Sequence, residues 1–191
     1  MGTIKTTNIE PIADNGTVTL GSSGDTFTVP SGVTVNMSSA TQTGVGGTNT
    51  PAFQAKSSAS QTVSSDSFAK ITCNTEEFDT AGAYDNSTNY RFTVPSGQAG
   101  KYYVYGLITA NGLTNANLDS ANCSIYKNNS DTGGVEFYMH GNPTARYIPV
   151  IEFKILDLSV GDYVELYGRI ETDNGNDGKI GGTFGAYKII E

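Results

Sequence analysis

The stretch of residues 78–106 limits what this chain can fold into more than any other. A loop of Asp, Asn, Gly, Ser and Thr feeds a short run, Tyr90-Arg91-Phe92-Thr93-Val94, and Pro95-Ser96-Gly97 breaks it. A second, aromatic-rich run extends from Lys101 to about residue 110. Pro presets a turn-compatible φ and Gly accepts a positive one, so the pattern predicts strand, turn, strand and, taken alone, a hairpin. Period-2 alternation places Tyr90, Phe92 and Val94 on one face of the first strand and Arg91 and Thr93 on the other. In the second strand Tyr103, Tyr105 and Leu107 oppose Tyr102, Val104 and Ile108, which leaves both faces at least half buried.

Composition agrees with a β-rich fold. Gly accounts for 23 of 191 residues, charged residues for only 16%, Trp is absent and Tyr (11) outnumbers Phe (8). That is the profile of many short strands joined by tight turns. No segment sustains apolar residues at i, i+3, i+4 and i+7, so helix content is expected to be low. A net charge of −8 with only 11 scattered basic residues argues against nucleic acid, because a phosphate backbone calls for clustered Lys and Arg. No apolar run reaches the roughly 18 residues of a membrane span, and Met1-Gly2-Thr3-Ile4-Lys5-Thr6 lacks the apolar core of a secretory leader. The match of Gly2 and Thr6 to a myristoylation pattern is generic and has no polybasic support. The chain is expected to be soluble, made in a cytosol, with no membrane insertion.

Residues 1–49 form a segment apart, in which Phe27 is the only aromatic residue. Short alternating runs at residues 16–20, 25–30 and 32–37 are separated by Gly21-Ser22-Ser23-Gly24 and Pro30-Ser31-Gly32. Each run is β-like, but so few large apolar groups cannot offset the ordering entropy of the segment alone. Such a segment is stable only against other chains or another domain. It resembles the stalk and attachment regions of trimeric phage fibres, where three copies share a narrow core. Residues 38–49 are small, polar and Gly-rich and read as a linker. A head is expected to begin at Thr50-Pro51-Ala52-Phe53 and to run to residue 191.

The head also carries a family resemblance. Phe78, Tyr84-Asp85 and Tyr90-Arg91-Phe92-Thr93-Val94-Pro95, followed by Gly100-Lys101-Tyr102-Tyr103, look like the signature of the C1q-like globular head, a jelly roll that trimerises. Pro51-Ala52-Phe53-Gln54-Ala55 resembles the family's first strand, and Ser124-Ile125-Tyr126-Lys127-Asn128-Asn129 resembles a strand ending in Lys-Asn-Gly. Leu158-Ser159-Val160-Gly161-Asp162-Tyr163-Val164 is similar to its Leu-x-x-Gly-Asp-x-Val turn, and Gly182-Thr183-Phe184-Gly185 to the start of its closing strand. The resemblance implies an all-β, ten-or-so-stranded jelly-roll sandwich, homotrimeric, with the N-terminal segment ahead of it. The sequence departs from the family around residues 112–121 and 132–145, and residues 1–49 stand where animal members have a collagen stalk. On the resemblance, Phe53, Tyr90, Phe92, Tyr103, Tyr105, Phe184 and Tyr187 are the residues expected at the trimer interface or in the core.

Candidate chemistry is sparse. His140 is the single histidine, sits in Gly141-Asn142-Pro143 context and has no nucleophile motif to serve. Glu76 with Glu77, and Glu165 with Glu171, are the carboxylate pairs to weigh for glycoside hydrolysis, but nothing in their spacing makes them converge. Cys73 and Cys123 lie in strand-like runs and read as small buried hydrophobes, with a disulfide or reactive thiol as the other reading. Asp173 and Asp177, in Asp173-Asn174-Gly175-Asn176-Asp177-Gly178, are candidate calcium ligands, although the loop lacks the closing Glu of an EF-hand. Asn-x-Ser/Thr sequons such as Asn86-Ser87-Thr88 read as turn residues without a secretory context. The tyrosines are too many for one core, since each buried hydroxyl needs a partner, and some are expected to line a subunit interface or to stack on sugar rings.

These observations make a non-enzymatic, trimeric virion protein of a bacteriophage the expected function. It would be a fibre or decoration protein on capsid or tail, joined to other virion proteins through residues 1–49. Its head would touch a host glycan or receptor. A cellular carbohydrate-binding lectin and a fibre-borne depolymerase are the alternatives.

Overall fold

The computed structural model describes residues 9, 17–36, 49–113, 117–139 and 146–189. The chain divides into two compact units, Met1–Val45 and Gly46–Glu191. In the first unit residues 17–36 form two turns and no strand ladder. One turn closes with Asp25 N–H on Ser22 O (3.0 Å), the other with Val33 N–H on Pro30 O (3.3 Å). The β-like runs expected there thus meet no partner strand within the described residues.

The second unit holds the strands. In chain order they are β1 (Ala52–Lys56), β2 (Gln61–Val63), β3 (Ala69–Lys70), β4 (Thr75–Asp79), β5 (Tyr84–Asp85), β6 (Arg91–Thr93) and β7 (Gly100–Gly112). Then follow β8 (Leu118–Lys127), β9 (Ser130–Asp131), β10 (Val135–Tyr138), β11 (Tyr147–Leu158), β12 (Tyr163–Thr172) and β13 (Gly178–Lys188). The first sheet has the order β11-β7-β13-β1-β4, with β2 beside β13. The second has the order β10-β8-β12-β6-β5, with β3 on β12 and β9 on β8. Every pairing is antiparallel, and the two inner faces enclose one core. This is the two-sheet, all-β jelly roll that the sequence led us to expect.

Aromatic rings knit the two sheets together. Phe53 of β1 stacks on Tyr84 (4.6 Å between centroids) and on Phe92 (5.0 Å), and meets Phe184 of β13 edge-on at 5.2 Å. Tyr102 packs on Phe92 at 5.7 Å. These rings are buried, and each contributes on the order of 2 kcal/mol from area alone. Tyr84 donates its buried hydroxyl to Cys73 O (3.0 Å) and Tyr102 donates to Gln98 O (2.6 Å), so neither ring leaves a polar atom stranded.

Two expectations for the organising stretch need correction. Tyr90 precedes β6 and has a φ of 50°, so it does not share a strand face with Phe92 and Val94. The reason lies in Asp85, whose carboxylate accepts the N–H groups of Ser87 (3.0 Å), Thr88 (2.9 Å) and Asn89 (3.1 Å) and winds residues 86–89 into a tight loop. The flanking strands also form no hairpin. β6 belongs to the second sheet and β7 to the first, so Pro95-Ser96-Gly97 is a corner between layers. Gly97 takes a φ of 74° there, which a side chain would resist.

Candidate functional site

The outer face of the first sheet is where the structure departs from ordinary burial. In the middle of β11, over residues 151–155, the usual alternation is inverted, while Ile148, Val150 and Leu158 face the core in the ordinary way. Ile151, Phe153 and Ile155 point outward, 60%, 65% and 63% exposed, while Glu152 between them points inward and is 2% exposed. A strand facing only water would carry the opposite pattern.

What holds Glu152 inside is specific. Its Oε2 accepts the Ile125 N–H at 2.7 Å, and Lys154 Nζ pairs with Oε1 at 3.0 Å. The carboxylate supplies the acceptor that β8 lacks there, between its pairings with β10 and β9. Burial pushes the Glu152 carboxyl above its usual range, and the Lys154 and Ile125 bonds offset part of that. With Ile148, Val150 and Leu158 buried on the same face, this anchor belongs to the register in which Ile151, Phe153 and Ile155 face out.

Neighbouring strands extend the apolar surface. Ile155 lies opposite Tyr103, Phe153 opposite Tyr105 and Ile151 opposite Leu107. Tyr103 is the centre of a ring cluster, with Tyr187 at 5.3 Å, Tyr105 at 6.0 Å and Phe153 at 6.1 Å. Tyr105 leans across Gly185, where an added Cβ would come within 2.4 Å of its ring. It thereby reaches Gln54 Oε1 at 2.5 Å. Beyond Gln54, Phe78 of β4 is 48% exposed. Gln54 also donates to Glu77, which pairs with Lys56 at 2.6 Å, so the polar groups gather at one margin and leave the centre apolar.

The second sheet presents a different outer face. Tyr126 and Tyr167 stack at 4.0 Å, Lys70 sits 5.9 Å over Tyr167, and Arg91 lies 4.2 Å over Tyr163. Lys70 pairs with buried Glu165 (2.5 Å), and Arg169 pairs with Asp66 (2.5 Å) and with Glu136. Here rings and charges satisfy one another.

The residues singled out from sequence therefore sort into distinct places. Phe53, Phe92 and Phe184 are core, Tyr103, Tyr105 and Tyr187 lie on the outer face of the first sheet, and half-buried Tyr90 stands in the loop before β6. Sequence reasoning did not single out Ile151, Phe153 or Ile155 as interface residues. Cys73 and Cys123 are free and buried, and burial pushes both thiols up to about 12, which suits packing and not nucleophilic chemistry. Glu77 and Glu165 are committed to Lys partners. Asp173 accepts both from Asn117 N–H (3.1 Å) and from Asn117 Nδ2 (2.9 Å) and so ties the β12–β13 loop to the start of β8, while Asp177 is exposed. Among the described residues no group of three or more His, Cys, Asp and Glu is placed to hold a metal ion. His140 lies outside the described residues.

No protein-family model matches the chain, and no curated protein matches it in sequence. Solved structures do match in fold. The globular domain of zebrafish complement 1qA superposes with a TM-score of 0.54 at 15% identity, covering 74% of this chain and 98% of that one. Eiger TNF from S. frugiperda gives 0.53 at 14% identity, covering 73% and 92%. Murine APRIL gives 0.51 at 9% identity, covering 72% and 98%. At these identities the likeness speaks for architecture alone, and that architecture is the C1q and TNF jelly roll.

Proposed function

We propose that this chain is the subunit of a homotrimer whose copies bury the apolar outer face of the first sheet against one another, and that the assembly is a non-enzymatic display or adhesion protein. The observation that carries the reading is the inverted middle of β11, with Phe153 65% exposed beside Glu152 at 2%. Burying an ionisable group while exposing three large apolar ones is costly for a lone subunit and makes sense only if a partner covers them. Sharing of the C1q and TNF fold fits self-association through this face. The non-enzymatic part is supported by carboxylates and thiols already committed to structural contacts.

The setting we propose is a bacteriophage particle, on capsid or tail, with residues 1–49 as stalk and attachment segment to other virion proteins. Its support is the composition of that segment, which cannot form a core of its own. Three equivalent heads on one axis would give a weak contact with a host glycan or receptor the benefit of avidity.

Native mass spectrometry of the full chain tests the assembly, with three chains per particle expected and a stable monomer fatal to it. Deleting residues 1–49 is expected to abolish incorporation into virions, and unchanged incorporation would reassign the attachment role. Binding on a glycan array without release of product would separate adhesion from depolymerase activity.

A further inference from the structure

β11 is an open edge of the first sheet. Among the described residues it pairs with β7 alone. It is 12 residues long, and Ile151, Phe153 and Ile155 lie bare on its outer face. A long apolar edge of this kind is a template for strands of other copies. The opposite edge, β4, is only 5 residues long and carries Glu76, Glu77 and Asp79, which blunt it in the ordinary way.

The direction of the backbone groups follows from one bond. Gly112 N–H bonds to Arg146 O at 2.9 Å, and these two residues continue the antiparallel register that runs from Tyr147 opposite Asn111 to Leu158 opposite Gly100. Opposed residues in such a ladder alternate between bonded and non-bonded pairs. Even-numbered residues of β11 therefore bond to β7, and residues 147, 149, 151, 153, 155 and 157 turn their N–H and C=O groups to the open side. A bond on the far side of β7 fixes the same phase. Ile189 N–H takes Lys101 O at 2.8 Å, and Lys101 stands opposite Asp157.

The outward row is stopped near both ends. Pro149 has no N–H to give. Asp157 O already accepts from Lys127 Nζ at 2.8 Å, and Lys127 is itself held by Asp162 at 2.9 Å. Ile151, Phe153 and Ile155 remain between the stops. The inner face of the same stretch carries the Glu152–Lys154 pair. A strand added beyond β11 would press its own side chains on Lys154, whose side chain is 25% exposed, and strip water from a charge.

We infer that Pro149 and Lys127 are guard residues which, with the inward Glu152–Lys154 pair, keep copies of this chain from adding strands to β11. Association is thereby confined to the sheet face. An edge contact between copies repeats without end, because each added sheet offers a further edge, whereas a face contact can close into a ring. The guard goes beyond the homotrimer reading and is tested apart from it, since the test does not depend on whether the discrete particle holds one chain or three.

Sedimentation velocity of the full chain after incubation at neutral pH tests it, with wild type, Pro149→Val, Lys127→Met, the double variant and Asp162→Asn. Asp162→Asn removes the ion pair of Lys127 and the acceptor of the Ser159 N–H but leaves Lys127 on Asp157 O, so it costs stability without opening the edge. Wild type and Asp162→Asn are expected to stay one discrete species. Each single guard variant is expected to lose that species in part, and the double variant wholly, to β-sheet polymers. In the polymers the amides of 147–157 are expected to exchange more slowly than in the discrete species. A double variant that stays discrete overturns the inference. So does Asp162→Asn polymerising as fast as Lys127→Met, because lost stability and not the open edge would then be the cause. Polymers whose 147–157 amides exchange no more slowly also overturn it, since they would have grown through another surface.

Discussion

Both outer faces of the jelly roll carry aromatic rings, and they treat them in opposite ways. On the second sheet Tyr167 lies under Lys70 and Tyr163 under Arg91, while Lys70 and Arg169 are paired with Glu165, Asp66 and Glu136. On the first sheet Tyr103, Tyr105, Phe153 and Tyr187 touch mainly one another, flanked by bare Ile151 and Ile155. A face whose rings are covered by its own charges is complete in one chain. On the reading proposed above, a face whose strand turns Glu152 inward to leave Phe153 out is complete only against another surface. The difference teaches that aromatic content alone does not single out a face for assembly; what sets the first sheet apart is the absence of a polar cover.

Substitutions should separate the two faces. The largest effect is expected from Phe153→Asp, which places a charge in the centre of the apolar face. It should weaken assembly by roughly 2–4 kcal/mol per subunit, as for a central hot-spot residue, and bring the mass by light scattering to one chain with the β circular dichroism retained. Lys70→Met on the other face should do the converse. It strands the buried Glu165 carboxylate and should cost about 3 kcal/mol in chemical denaturation, with oligomeric state unchanged.

A smaller loss, about 1 kcal/mol, is expected for Asp85→Ala, because water can replace part of the bonding in that loop. Thermal melts of the variant against wild type would show it.

Acid should act through the same kind of carboxylate. Bonds first from Asn128, then Lys127 and the Ser159 N–H, hold Asp162 at about 2. The N–H groups of Thr88 and Ser87 and the Asn89 side chain hold Asp85 well below the usual range. Their folded-state values are depressed, so their contribution is full above about pH 4, the ordinary Asp value, and is lost as pH falls through about 2. Melting temperature should therefore be flat from pH 7 to 5 and fall between 4 and 2, less steeply in Asp85→Asn. Glu152 has the opposite sign and blunts the fall at its upper end. The smallest effect is expected from chelation: with Asp173 tied to Asn117, EDTA should leave the melting temperature unchanged, and a drop would restore calcium to the β12–β13 loop.

Much of the architecture was legible because it rests on period and turn chemistry. The alternation of β7 placed Tyr102, Val104 and Ile108 opposite Tyr103, Tyr105 and Leu107, and the strand folds that way. The hairpin expectation failed because Pro95-Ser96-Gly97 encodes a turn but not which strands its arms will meet. Tyr90 was misplaced because the loop geometry depends on Asp85 gathering N–H groups up to four residues ahead, which periodicity does not see. Of the apolar outer face proposed as the interface, Tyr103, Tyr105 and Tyr187 were among the residues named from sequence for the trimer interface or core. Ile151, Phe153 and Ile155 were not, since an Ile-Glu-Phe-Lys-Ile run is the ordinary pattern of a half-buried strand. The burial of Ile148, Val150 and Leu158 on the same face as Glu152, with the bond from Ile125 N–H to Glu152, shows that it is mounted the other way round.

The asymmetry of the faces can be read directly by placing a photo-crosslinking benzoyl-phenylalanine at position 153 in one sample and at position 167 in another. Illumination of the protein at low concentration should give covalent two- and three-chain species from position 153 and only single chains from position 167. Equal crosslinking from both positions, or crosslinking from 167 alone, would contradict the assignment of the first sheet as the surface that the copies share.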